Sequence, residues 1–296
     1  MIDNRRNKKY TLYVMIKILV DSASDVEQSE AEELGIALIP MRVRFGDTEY
    51  ADGVNLSHRE FFEKLVESTE LPQTSQINEF DWEESFKTLT ADGSEVIAIT
   101  ISSKLSGTYA CAVKAAKKFG GKVRVVDSIE ASLGERILLQ YAIRLAGEGK
   151  LSAEEIVNEL NEKKNKIQLL AVLDTLKYLR KGGRISSVAA IAGEMLSIKP
   201  VISIVKGEIK LLGKAMGSKK SNNLLNTLVA KCGGIDFEMP YALAYSGLSD
   251  EYLQKYLKDS EHLWKNNTDS VPAYVIGSTI GTHIGPNAIA VAFFAK

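Results

Sequence analysis

Short apolar runs alternate with amphipathic stretches along this chain. Residues 16–20 are apolar but for Lys17, and they end at the polar cluster Asp21-Ser22-Ala23-Ser24-Asp25. A buried strand followed by a helix-capping loop accounts for that pattern. Residues 36–43, 96–101 and 123–127 read as further strands. Helices fill the intervals. One opens at Ser57, with Glu60 three residues on as a capping box and Phe61, Phe62 and Leu65 on its apolar face. Others are expected over 80–90 and 106–119, and two more within 132–164. This alternation predicts a parallel sheet flanked by helices.

The pattern changes after residue 166. Residues 169–173 read as a strand, and 176–179 as a short helix leading into Lys181-Gly182-Gly183-Arg184. Residues 201–205 and 208–212 flank Lys206-Gly207 as a hairpin. A helix is expected over 218–232, a strand over 241–245, a helix over 250–263, and strands over 273–276 and 289–294. Hairpins mixed with helices point to an α+β second half with a mixed or antiparallel sheet. The reading is an α/β protein of two domains, 15–165 and 166–296, with residues 1–14 as a disordered extension.

At 296 residues and 45% hydrophobic composition the chain can bury a substantial core. Its formal net charge of -1 provides no global field to draw it to nucleic acid, so a ligand must be recognised locally. The basic start is followed by no signal-peptide core, and no run is long enough to span a membrane, which makes the cytoplasm the expected compartment. Any membrane contact would be transient. Cys111 and Cys232 read as two free thiols, and no Cys-His spacing suggests zinc, so neither metal nor cofactor is expected. Walker A, Gly-x-Gly-x-x-Gly and Gly-x-Ser-x-Gly patterns are missing from the sequence. His58 and His262 read as solvated surface residues, leaving His283 for any imidazole chemistry, and most carboxylates read as solvated helix faces.

Three segments supply donors suited to one small anion. Ser102-Ser103-Lys104-Leu105-Ser106-Gly107-Thr108-Tyr109 follows a buried strand and opens a helix, where free amides and the helix dipole favour negative charge. There Ser106 adds a hydroxyl and Gly107 lets a ligand approach the backbone; the plainer reading makes Ser106 a helix cap. Leu71-Pro72-Gln73-Thr74-Ser75-Gln76 reads as a polar loop with Thr74 and Ser75 as candidates; the plainer reading is an ordinary connection between helices. Gly281-Thr282-His283-Ile284-Gly285-Pro286 reads as a glycine-flanked loop that leaves His283, protonated or donating, free to face a carboxylate, with Thr282 beside it; the plainer reading is a structural histidine hydrogen-bonded within a tight loop.

Together these stretches resemble the DegV family, whose bacterial members include the fatty-acid-binding subunits of fatty acid kinase. The resemblance runs from Met15 to Lys296. It rests on residues 16–25, Thr74-Ser75-Gln76, residues 102–109, Leu179-Arg180-Lys181-Gly182-Gly183-Arg184-Ile185-Ser186, Lys199-Pro200 and Thr282-His283-Ile284-Gly285-Pro286. It implies a DegV-like two-domain fold with a long-chain fatty acid in an internal hydrophobic tunnel. The carboxylate would be held by Thr74, Ser75, Ser106, Gly107 and His283, with Thr282, Arg184 and Ser102 in support. It also implies a non-catalytic role, the lipid being presented to a separate ATP-dependent kinase subunit that makes the acyl phosphate. The chain departs from the family pattern at Ile77-Asn78, at Asn287 and at Met216, which stands where an arginine is usual.

An acyl chain of roughly 15 methylenes at about 0.8 kcal/mol each offers a gross gain on the order of 10 kcal/mol. Affinity would therefore come from a dry tunnel, and orientation from the polar end. Two other readings stand beside this one. The first is an enzyme acting on a small carbonyl or phosphorylated substrate through His283, on a fold resembling dihydroxyacetone kinase domains. The second is a regulatory lipid sensor.

Overall fold

The computed structural model describes residues 15–184 and 198–296. The first sheet contains β1 (Ile16–Asp21), β2 (Ala37–Ile39), β6 (Glu95–Thr100) and β7 (Val123–Asp127), in the order β2-β1-β6-β7 and all parallel. A small antiparallel sheet, β4-β3-β5, is built from β3 (Arg42–Phe45), β4 (Thr48–Ala51) and β5 (Gln73–Ser75). The third sheet holds β8 (Ile167–Val172), β9 (Ile198–Val205), β10 (Glu208–Met216), β11 (Tyr241–Tyr245), β12 (Ala273–Val275) and β13 (Ile289–Phe294). Its order is β10-β9-β8-β13-β11-β12, antiparallel except for β11 with β12. This is the mixed α/β class expected. Strands of the first and third sheets separate at Lys166.

The helices of the first half are α1 (Gln28–Glu33), α2 (His58–Glu67), α3 (Glu79–Thr90), α4 (Thr108–Ala116), α5 (Leu133–Glu148) and α6 (Ala153–Lys163). The second half holds α7 (Lys177–Lys181), α8 (Gly217–Lys231), α9 (Glu251–Asp259), α10 (Glu261–Trp264) and α11 (Ser278–Ile284). α5 packs against β1 and β6 of one sheet and β8, β11 and β13 of the other. A helix buried on several faces in this way has few solvated positions, and Leu133 through Leu139 are buried without a break. One continuous core therefore runs from Ile18 to Phe294.

Several elements depart from the sequence reading. Residues 36–43 are not one strand. Pro40, which has no amide to donate, falls between β2 and β3, and the two strands join different sheets. The single helix expected over 250–263 breaks at Ser260, whose hydroxyl bonds the Tyr256 carbonyl at 2.6 Å. His58 is buried rather than solvated, with its ring facing Glu27. His262 is exposed, as read. Cys111 and Cys232 are free and half-buried. The residues 185–186 of the Gly-Gly-Arg motif and the extension 1–14 lie outside the described residues.

The capping box on α2 forms as its sequence predicts: the Ser57 hydroxyl accepts from the Glu60 amide, and Glu60 accepts from the Ser57 amide. Ser57→Ala is expected to cost about 1 kcal/mol. That is a fall of roughly 2–4 °C in the thermal midpoint for a chain of this size. A midpoint equal to wild type would show that α2 is held by packing alone.

Candidate functional site

The segment containing Thr74 is a strand, not a loop. β5 pairs with β3, placing Thr74 opposite Val43, and alternation along β5 turns Thr74 inward while Gln73 and Ser75 are exposed. The segment containing His283 is also not a loop. It is the last turn of α11, whose first amides, those of Ser278 and Thr279, donate to the two oxygens of the buried Asp52 carboxylate at 3.0 Å each. An N-terminal carboxylate of this kind completes the helix start and offsets its dipole. The short α11 thus gains from Asp52 what glycine-rich sequence could not supply. Asp52 was missed in the sequence because its partners are more than 220 residues away.

These two elements bring Thr74 and His283 together, with Oγ1 and Nε2 2.9 Å apart. Gly182 makes the approach of α7 to this ring feasible, since a Cβ there would lie 2.1 Å from His283 Nδ1. Burial, and secondarily the Arg184 charge, depress the His283 pKa from 6.5 to about 4. The ring is therefore neutral at pH 7, which leaves the donating imidazole of the two forms expected from the sequence. Its Nδ1 is buried without a hydrogen-bond partner among the described residues.

Thr74, Ser106, Arg184 and His283 all line one cavity. The rest of its wall is mostly aliphatic, including Ile101, Leu105, Leu169, Ile202, Ile204 and Ile284. The cavity has a volume of about 90 Å³ and is lined by β8, β9 and β13 of the third sheet and by residues just beyond β6 of the first. Ser106 bonds Thr108 through both oxygens, Oγ to Oγ1 at 2.8 Å, and accepts from the Thr108 amide at 3.2 Å. Gly107, not Ser106, is the N-cap residue of α4.

The remaining candidates sit elsewhere. Ser75 faces solvent and is not part of the cavity wall. Gly107 makes room for Gln76, whose side-chain oxygen would be 2.0 Å from a Cβ at that position. Thr282 donates to the Ser278 carbonyl at 2.9 Å. Ser102 donates to the Gly207 carbonyl at 2.9 Å, joining the first half to the β9–β10 hairpin. Met216 ends β10 and is exposed.

Not all carboxylates are solvated. Asp21, Asp25, Asp52, Glu130 and Glu135 are buried. Burial raises Asp21 to about 7, against backbone bonds from Ile101 and Ala23 that favour its charge. Burial likewise raises Asp25 to about 6, and raises Glu130 and Glu135 well above the usual carboxylate range. The cluster Asp21-Ser22-Ala23-Ser24-Asp25, directly after a fully apolar strand end, was the sequence signal for two of them. Among the described residues no group of His, Cys, Asp or Glu is placed to hold a metal, and no helix is long and apolar enough to cross a membrane.

Comparison with known proteins gives one answer at every level. The model of the DegV family, described as uncharacterised protein, matches residues 15–296. A DegV domain-containing protein of Caldanaerobacter subterraneus is 34% identical over 285 residues, covering 95% of this chain and 99% of that one. Among solved structures, a fatty-acid-binding DegV family protein from Thermus thermophilus superposes with a TM-score of 0.84 at 27% identity, covering 96% of this chain and 100% of that one. A stearic-acid-binding protein from Eubacterium ventriosum gives a TM-score of 0.81 at 26% identity, covering 94% and 97%. With its family model matched from residue 15 to the last residue, the chain belongs to the DegV family.

Proposed function

We propose that this protein binds one long-chain fatty acid in the cavity, with the tail among the aliphatic residues and the carboxylate at Thr74, Ser106 and His283. The observation that carries this reading is the Thr74–His283 pair opening onto a mostly aliphatic cavity. The solved relatives that bind fatty acids support it.

A neutral imidazole works here as a positioning donor. With its proton on Nε2, His283 donates to Thr74 Oγ1, and the Thr74 proton is free to donate to a carboxylate. The opposite tautomer would consume the Thr74 proton and leave an N–H buried at Nδ1 with no acceptor among the described residues, the costlier arrangement. Ser106 adds a second hydroxyl, and Arg184, exposed at the rim, adds positive charge without being buried itself. The head group would thus lie beside exposed Gln76 and Arg184 while the tail lies in the core. That polarity suits presentation of the carboxylate to a separate ATP-using kinase subunit, with this chain contributing no catalytic group.

Extraction of the purified protein under denaturing conditions, followed by mass spectrometry, tests the reading. A fatty acid at near one per chain is expected; a small polar metabolite in its place would favour the enzyme reading. Ser106→Ala is expected to weaken retention roughly tenfold, the scale of a hydrogen bond to a charged group. Lipid content unchanged in that variant would remove Ser106 from the site.

A further inference from the structure

The cavity wall carries hydroxyls beyond those of the carboxylate site. Ser132 and Thr279 both line it. Thr279 is 2% exposed, and its Oγ1 has no hydrogen-bond partner among the described residues. Its position explains why. Thr279 is the second residue of α11, so no helical carbonyl lies four residues before it, whereas Thr282 bonds the Ser278 carbonyl. The amides of Ser278 and Thr279 are occupied by Asp52, so the spare group is the Thr279 hydroxyl itself.

Ser132 contributes a second, independent oddity. It is held at φ 53° and ψ -134°, a region that residues with a side chain rarely adopt. Its amide donates to the Ala23 carbonyl at 2.6 Å and its hydroxyl donates to Asp25. The hydroxyl proton is thus committed, and the oxygen faces its surroundings as an acceptor. The other Asp25 oxygen accepts from the Gly277 amide at 2.8 Å, so one carboxylate ties the start of α5 to the start of α11. Thr279 precedes His283 by four residues, about 6 Å along the helix at 1.5 Å per residue.

Building on the fatty-acid reading above, we propose that the ligand class is long-chain fatty acids bearing a second oxygen, a hydroxyl a short way along the chain. That hydroxyl accepts from Thr279 and donates to Ser132 Oγ. An unsubstituted chain leaves the Thr279 hydroxyl buried and unmet, and a site with such a group discriminates in favour of the ligand that satisfies it.

The test titrates lipid-free wild-type protein, Thr279→Val and Thr279→Ser with stearic acid and with hydroxystearic acids whose hydroxyl is placed at successive positions. Valine keeps the shape and removes the hydroxyl; serine restores it. At the favoured position the ratio of hydroxystearic to stearic affinity is expected to fall roughly tenfold in Thr279→Val and to return in Thr279→Ser. Stearic acid binding with the same ratio in wild type and Thr279→Val at every position overturns this inference alone. No binding of any of these acids overturns the fatty-acid reading, and this inference with it.

Discussion

Ala171→Phe is expected to empty the cavity of lipid. Ala171 on β8 lines the cavity, and its neighbour in register on β13, Ala290, lines it too. Two small side chains abreast keep the cavity open between sheets whose other inward residues are mostly branched. A phenyl ring at this point fills the room of about five methylenes, forfeiting on the order of 4 kcal/mol, close to a thousandfold in affinity. Overpacking costs stability as well, typically about 1–3 kcal/mol. The thermal midpoint should therefore be recorded beside the lipid content from mass spectrometry. A folded Ala171→Phe protein that still carries a full complement of the wild-type fatty acid would show that the tail lies elsewhere.

The second large effect is a loss of stability as pH rises. A carboxyl whose folded pKa exceeds its unfolded value binds its proton more tightly in the native state. Its stabilising contribution is complete below the unfolded pKa and is lost as pH rises through the folded one. Asp21, raised from 3.8 to about 7, accounts for a loss on the order of 4 kcal/mol across that window. Asp25 acts in the same direction up to about pH 6, and Glu130 and Glu135 extend the trend upward. His283 opposes it. Its depressed pKa means stability is lost as pH falls from about 6.5 to about 4, so the acids act alone only above that range.

The clean comparison is therefore thermal melting between pH 6.5 and 8.5, where about 1 kcal/mol of the Asp21 loss remains and Glu130 and Glu135 add to it, so that the midpoint is expected to decline. Both Glu135 oxygens are buried without partners among the described residues, so Glu135→Gln breaks no hydrogen bond found there and removes one titrating group. The decline should be shallower in that variant. A midpoint that climbs over this interval in wild type would mean that the buried acids are ionised and compensated.

Two kinds of information decided how far the sequence could be read. Local pattern was sufficient for most elements. β7, β11 and β13 fall on the residues expected, and the Ser57–Glu60 box forms where its spacing predicts. The places that misled were those where a distant partner overrides local preference. Thr74 and Ser75 look like loop, yet Arg42–Phe45 offers an edge that turns them into a strand. Residues 281–286 look like a glycine-rich turn, yet Asp52 caps the chain just before them and a helix results. In both cases the candidate side chain sits on a regular element and not in a loop, which favours a pre-organised site.

By itself the amino-acid order determined the alternation of strands and helices, the change of architecture near residue 166, and a short set of hydroxyl and imidazole candidates, because these depend on spacing within one element. Only the tertiary structure decided that Thr74 meets His283 across 209 positions, that the imidazole is neutral, that Ser75 faces solvent, and that Gly107 leaves room for Gln76. The physical reason is that desolvation and side-chain direction belong to the packed assembly of sheets: the same threonine exposed in a loop and inward on β5 has one letter and two chemistries.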